Sequence, residues 1–129
     1  MLTEGMTAIL TETVTTNKTA EVVGSGSLPV YATPAMIALI EKSAVELLDG
    51  NLPEGTTTVG TKLDINHVSA TPVGMNVVCQ CELTKIDRKK LVFAVEVKDE
   101  AGVIGNGIHE RFMVDAEPFL AKANSKKEK

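Results

Sequence analysis

The chain is poor in the residues that build several kinds of site. It has no tryptophan, one tyrosine and three phenylalanines, so aromatics make up 3% of its 129 residues. Few flat faces are left on which a single-stranded nucleic acid would stack. Positive charge is scarce as well, with 13 Lys and Arg against 17 Asp and Glu and a net charge of −4. Four of those cations, Lys122, Lys126, Lys127 and Lys129, fall in the last eight residues, which leaves the body more acidic still, and no nucleic-acid partner is expected. The longest unbroken apolar run, Ala35 to Ile40, is six residues, against the roughly 20 that a bilayer crossing requires. No membrane partner is expected either. The opening MLTEGMTAIL has neither the basic n-region nor the long apolar h-region of a secretory signal, so the expected location is cytoplasmic. Cysteine is limited to Cys79 and Cys81, one residue apart on a strand and pointing the same way. They are too close in sequence for a structural cross-link and have no His or Asp cluster beside them, so they read as small buried hydrophobes and no metal is expected.

What is present suits one soluble domain. Hydrophobic residues are 43% and charged residues 23% of the chain, enough to bury a core, and the length allows a single domain, here residues 1–120, with 121–129 a charged tail expected to be disordered. Period-two alternation marks strands. Met75, Val77, Cys79, Cys81 and Leu83 alternate with Asn76, Val78, Gln80, Glu82 and Thr84, and Leu91, Phe93, Val95 and Val97 repeat the pattern after the turn Asp87-Arg88-Lys89-Lys90. A second turn at Asp99-Glu100-Ala101-Gly102 leads into a third strand over about Val103–Val114, completing a meander. Upstream, Thr57–Val68 reads as a strand with Val59, Thr61, Leu63, Ile65 and His67 on one face, and Thr7–Thr15 as a weaker one. Glu21–Val30, with Gly24-Ser25-Gly26-Ser27, reads as a mobile loop.

The strong helical segment is TPAMIALIEKSAVELLDG. Thr33-Pro34 suits an N-cap and first helical position, and Asp49-Gly50 a stop. At 100° per residue, Ile37, Glu41, Ala44, Val45 and Leu48 share one arc, flanked by Met36, Ala38, Ile40 and Leu47, with Lys42, Glu46 and Asp49 opposite. So broad an apolar arc implies a helix wrapped by sheet. The expected class is α+β, one long central helix against an antiparallel sheet of about five strands.

Glu41 falls inside that arc, where a carboxylate either finds a donor or has its pKa raised toward general-base duty. His67, by strand parity, points at the same small core, so the two are expected to form the closer functional pair and to share a proton. Thr33 is explained by capping alone, yet the helix start it marks offers unpaired amides and the helix dipole to an oxyanion. Gly60, in a β-branched strand, marks a bulge or a point of close approach. Gly105 and Gly107 share a face with His109 and Arg111 and admit a closely packed neighbour. Arg111 pairs with a buried acid or meets a phosphate.

The segments VYATPAMIALIEKSA, VGTKLDINHVSATPVG and IGNGIHERF, in this order and spacing over Val30–Val114, resemble the hotdog-fold thioesterases of the fluoroacetyl-CoA thioesterase type. The resemblance implies a hotdog fold and hydrolysis of a small acyl-CoA without metal or cofactor, coenzyme A being part of the substrate. It further implies a homodimer with sheets joined side by side and sites between subunits. Its catalytic set maps onto Thr33, Glu41 and His67, and its acyl-end glycine onto Gly60, with Tyr31 and Arg111 as further substrate-binding candidates. Arg88, Lys89, Lys90 and Arg111 are candidates for the CoA phosphates. The family's fluoroacetyl-specific enzyme carries an aromatic lid before the helix. This chain has VVGSGSLPVY there, keeping only Tyr31, so the resemblance does not extend to selectivity for a fluorinated acyl group.

Within that reading Glu41 is a base toward water or a nucleophile, His67 supports proton transfer, and Thr33 positions the acyl group or attacks it. Eight residues of helix rise about 12 Å, so Thr33 and Glu41 of one chain cannot bond if the helix begins at Pro34. A later helix start, a partner subunit or a purely binding role for Thr33 resolves this. Two other functions fit less well. An enoyl-thioester hydratase would pair an Asp with the His, but Asp64 and His67 face opposite ways by parity, and a non-catalytic acyl-CoA binding module gives no reason to keep the whole catalytic set.

Overall fold

A computed structural model describes residues 1–128 of the chain. In chain order the elements are β1 (Thr7–Thr13), α1 (Ala20–Val23), α2 (Thr33–Leu48), β2 (Thr56–His67), β3 (Asn76–Asp87), β4 (Lys90–Asp99), β5 (Gly102–Asp115) and α3 (Ala116–Asn124). The strands form one five-stranded antiparallel sheet in the order β1-β3-β4-β5-β2. The meander expected from the alternating segments is its centre, and β2, which precedes the meander in sequence, closes one edge against β5.

Alternation places Val77, Cys79, Cys81 and Leu83 of β3 and Leu91, Phe93, Val95 and Val97 of β4 on one buried face. Both cysteines are free and buried, as their pattern required. Against this face α2 packs a stripe at helical spacing, Met36, Leu39, Ile40, Ser43, Ala44, Leu47 and Leu48. The one hydroxyl in it, Ser43, is satisfied by donating to the Leu39 carbonyl at 2.9 Å. This stripe is rotated from the arc drawn on the sequence. Val45 is half exposed and Glu41 sits at the margin, because the sheet covers the helix mainly through β1 and β3 and leaves the flank toward β5 open.

Thr33 is the first residue of α2, not its cap. Ala32 occupies the cap position with extended backbone, no side chain caps the helix, and Pro34 stands in the first turn. At the other end Asp49 caps the helix and Gly50 takes a left-handed φ of 77°. Three further corrections concern flanking segments. The start of the loop read over Glu21–Val30 belongs to α1, a helical turn of Ala20–Val23 ended by Gly24 at φ 91°. Of the tail expected over 121–129, residues 121–124 complete α3 and Ser125–Glu128 form a further helical turn, while Lys129 lies outside the described residues; α3 buries no residue and leaves Phe119 and Leu120 exposed.

The third correction is to β2, whose inward face is not one uninterrupted alternation. Gly60 faces Arg111 and Leu63 faces His109, with the register shifting between Gly60 and Lys62. Thr61 is therefore the extra residue of a bulge. Thr58 and Gly60 join Leu63, Ile65 and His67 on the helix side, while Val59 turns to the other face. The bulge that Gly60 suggested is there.

Glycine lets two pairs of elements approach. A Cβ on Gly105 would lie 2.8 Å from the flexible end of Met36, so the Met36 side chain of α2 reaches down to the β5 backbone. Gly107 has φ 151°, and a Cβ there would lie 2.1 Å from the Asp64 carbonyl oxygen of β2. Backbone cannot yield as a methionine tip can. Gly107→Ala is expected to cost about 3 kcal/mol and Gly105→Ala about 1 kcal/mol, read as the difference in urea unfolding midpoints at constant m; the reverse order would contradict this packing.

Candidate active site

Two polar centres lie along α2. The first is at its N-terminus, where β2 ends. Thr33 Oγ1 lies 2.7 Å from His67 Nδ1, within the reach a nucleophile and its base require. The uncapped first turn leaves backbone amides and the positive end of the helix dipole beside this hydroxyl. A cleft of about 320 Å³ opens onto the pair, lined also by Val30, Tyr31, Val68 and Ser69. Burial lowers the His67 pKa below its ordinary 6.5, opposed in part by the Ser69 backbone. Burial thus favours the neutral ring, whose Nδ1 shares a hydrogen bond with the threonine hydroxyl. Its other nitrogen, Nε2, is buried and has no hydrogen-bond partner among the described residues.

The second centre lies two turns along α2. The Glu41 carboxylate approaches Arg111 Nη1 of β5 at 3.5 Å; the acid's side chain is 40% exposed and the arginine's 7%. Arg111 Nε donates to Thr58 Oγ1 at 2.9 Å and Nη2 to the Thr58 carbonyl at 3.1 Å, so β2 fixes the plane of the guanidinium. Nη1 also meets His109 Nε2 at 3.2 Å. Gly60 completes the centre, because a Cβ there would lie 2.6 Å from Glu41 Oε2. Its missing side chain is the space the carboxylate fills. A groove of about 760 Å³ reaches Glu41 and Arg111 past Leu10, Leu39 and Val45, with Glu12 and Lys18 on its wall.

The candidates thus assemble differently from the expectation. Within one chain His67 engages Thr33, and Glu41 engages Arg111. The expected Glu41–His67 pair is not formed in the chain, because α2 starts at Thr33 and carries Glu41 a further two turns away. Nor is Glu41 in a dry stripe; it lies at the stripe's edge beside an arginine. Arg111, of the two roles open to it, takes the partnership with an acid in this chain, and its side chain is buried. Arg88, Lys89 and Lys90 line a separate surface cleft with Phe112. Tyr31 is 1% exposed and donates its hydroxyl to Glu12, which also pairs with Lys18 at 2.6 Å, so its ring borders the first cleft while its polar end is spent on a network behind it. His109 was not singled out from the sequence as a functional residue. The signal was its place two residues before Arg111 on the same face of one strand.

One long helix rolled in an antiparallel sheet, with a Thr–His pair at the uncapped start of that helix, places the chain among the hotdog proteins of the thioesterase superfamily. It superposes on a superfamily member from Thermus thermophilus with a TM-score of 0.91 at 26% identity, covering 99% of this chain and 95% of that one. More narrowly, residues 14–117 match the family described as fluoroacetyl-CoA-specific thioesterase, FlK, and the chain belongs to that family. It is 34% identical over 97 residues to the fluoroacetyl-CoA thioesterase of Streptantibioticus cattleyicolor, which spans 75% of this chain and 70% of that protein. A solved structure of FlK matches with a TM-score of 0.92 at 29% identity over 98% of both chains. A threonine-to-serine variant of FlK in complex with acetyl-CoA matches with a TM-score of 0.92 at 28% identity, covering 97% of this chain and 98% of that one.

The imidazoles set a pH signature. His109, like His67, has its pKa lowered first by burial, with the Lys62 carbonyl opposing this and Arg111 adding to it. The unfolded chain takes up these protons near pH 6.5 and the folded one resists, so the unfolded state binds more protons as the pH falls. Stability from both groups is intact above about pH 6.5 and lost below it. Nuclear magnetic resonance titration is expected to show both rings protonating below 6.5, with urea midpoints falling between pH 7 and pH 5.

Proposed function

We propose that this protein is an acyl-CoA thioesterase acting on small acyl groups, with Thr33, His67 and Glu41 as its reacting set. The observation that carries the reading is the Thr33 Oγ1 to His67 Nδ1 contact of 2.7 Å at the uncapped start of α2. The thioester carbonyl sits against the first-turn amides, which stabilise its developing negative charge. Thr33 Oγ1 attacks the carbonyl carbon and its proton passes to His67 Nδ1. The C–S bond breaks, and the CoA thiolate leaves with the proton from His67. Water, giving its proton to the same imidazole, then cleaves the acyl-threonine ester and regenerates the hydroxyl. The reaction runs on side chains and water, with coenzyme A only as part of the substrate. Family membership supports the substrate class, and the acetyl-CoA complex of an FlK variant is in keeping with a small acyl group.

Glu41 enters through a second subunit. With Nδ1 accepting from Thr33, the neutral His67 carries its proton on Nε2, which is buried and unpartnered in one chain. A carboxylate is the acceptor that a Thr–His pair calls for, and Glu41 of the same chain lies two helical turns beyond Thr33 and so away from His67, while its half-exposed carboxylate stays open on the side away from Arg111. We therefore propose a homodimer, joined along the open edge of β2, in which Glu41 of one subunit accepts from His67 of the other. A cytoplasmic location completes the reading.

The test is a thiol-release assay over acyl-CoAs of graded length. Thr33→Ala, His67→Gln and Glu41→Gln are each expected to lower kcat by about 100-fold or more, with Thr33→Ser retaining part of the activity. Undiminished turnover in Glu41→Gln overturns its assignment, and saturable binding of acyl-CoA by the wild type without thiol release overturns the enzyme reading in favour of a binding module. Shared sites are checked separately by mixing and refolding. Thr33→Ala and Glu41→Gln chains combined in equal amounts are expected to recover roughly a quarter of wild-type activity, because each mixed dimer has one intact site; no recovery means the sites lie within single chains.

A further inference from the structure

His109 is fully buried on β5 and is not part of the reacting set described above. Its Nδ1 lies 2.8 Å from the Lys62 carbonyl, at the bulge of β2, and its Nε2 lies 3.2 Å from Arg111 Nη1. A carbonyl oxygen only accepts and a guanidinium only donates, so the proton must be on Nδ1 and the lone pair on Nε2. The two neighbours select one neutral tautomer, and Phe93 holds the ring plane by stacking at 6.0 Å between centroids and 28° between planes. We propose that His109 is a positioning residue, whose Nε2 lone pair orients the Arg111 guanidinium that in turn holds the Glu41 carboxylate.

What matters is the charge of the acceptor. Arg111 spends Nε and Nη2 on Thr58, and Nη1 is left to face both His109 and Glu41. A carboxylate at position 109 would satisfy Nη1 and also neutralise the guanidinium, leaving Glu41 without a net positive partner. A neutral acceptor satisfies the hydrogen and leaves the positive charge to Glu41. The bulge at Thr61 has a part in this, since it brings the Lys62 carbonyl opposite the ring.

The inference rests on Glu41 acting in thioester hydrolysis, and the experiment separates the two. His109→Phe keeps the ring and loses the lone pair, whereas His109→Gln can accept from Arg111 and donate to Lys62. Thiol-release assays are expected to show kcat falling about 10-fold in His109→Phe, with KM within about twofold of wild type, and recovering in His109→Gln. A structural role would give a loss that multiplies with that of Glu41→Gln; a positioning role predicts no further loss from His109→Phe in the Glu41→Gln background. Independently of activity, hydrogen exchange at Arg111 Nε is expected to quicken at least about tenfold in His109→Phe and to stay slow in His109→Gln. Unchanged exchange, or a kcat loss equal in both backgrounds, overturns the inference. Failure of the functional reading is a different result, a wild type that releases no thiol from any acyl-CoA while Arg111 exchange responds to His109→Phe as stated.

Discussion

The burial of one stripe of α2 against the sheet, mainly at β1 and β3, is the constraint on which both polar centres depend. A helix pinned along Met36, Leu39, Ser43 and Leu47 has no freedom to rotate, so the directions of Thr33 at its first position and Glu41 two turns later are set by residues with no chemistry of their own. The facing cores of β3 and β4 alternate without interruption, which makes this contact continuous and rigid. Around it the sheet supplies partners at two heights, His67 at the end of β2 and Arg111 near the end of β5.

Close approach of backbones extends that constraint to the sheet's edge. Gly105 lets Met36 lie on β5, Gly107 lets β2 lie on β5, and Gly60 leaves room for a carboxylate where any other residue would place a Cβ. Each is a site at which a missing side chain does the positioning. The bulge beside Gly60 then changes the parity of β2, so that Thr58 and His67, nine positions apart and of opposite parity, both face the helix. A regular strand would have turned one of them to the other face.

Electrostatically the centres are complementary. At the helix start a desolvated imidazole is kept neutral beside a hydroxyl, under amides that favour negative charge. At mid-helix a buried guanidinium, with each nitrogen in contact with Thr58 or His109, presents fixed positive charge to a half-exposed acid. Burial of Arg111 is tolerable because its donors have partners and a carboxylate lies beside its charge. The acid keeps an open side, and His67 Nε2 is without a hydrogen-bond partner among the described residues.

Much of this molecule is a local property of its residue order. Strict alternation in 75–83 and 91–97 dictates two strands with one dry face, the short polar turn between them dictates a hairpin, and the broad apolar arc from Met36 to Leu48 dictates a helix covered by sheet. The same holds for the candidate residues, since a Thr at a helix start, an acid near an apolar stripe and an inward His are visible as patterns. Which of them meet is decided by rotation and register. An error of one helical position moves a side chain by 100° around the axis, and one extra residue in a strand exchanges its faces. Packing against β1 and β3 turned Glu41 to the margin, the cap at Ala32 freed the Thr33 hydroxyl for His67, and a bulge aligned Gly60 with Arg111. Periodicity has no term for any of these, because each arises from contacts between segments dozens of residues apart.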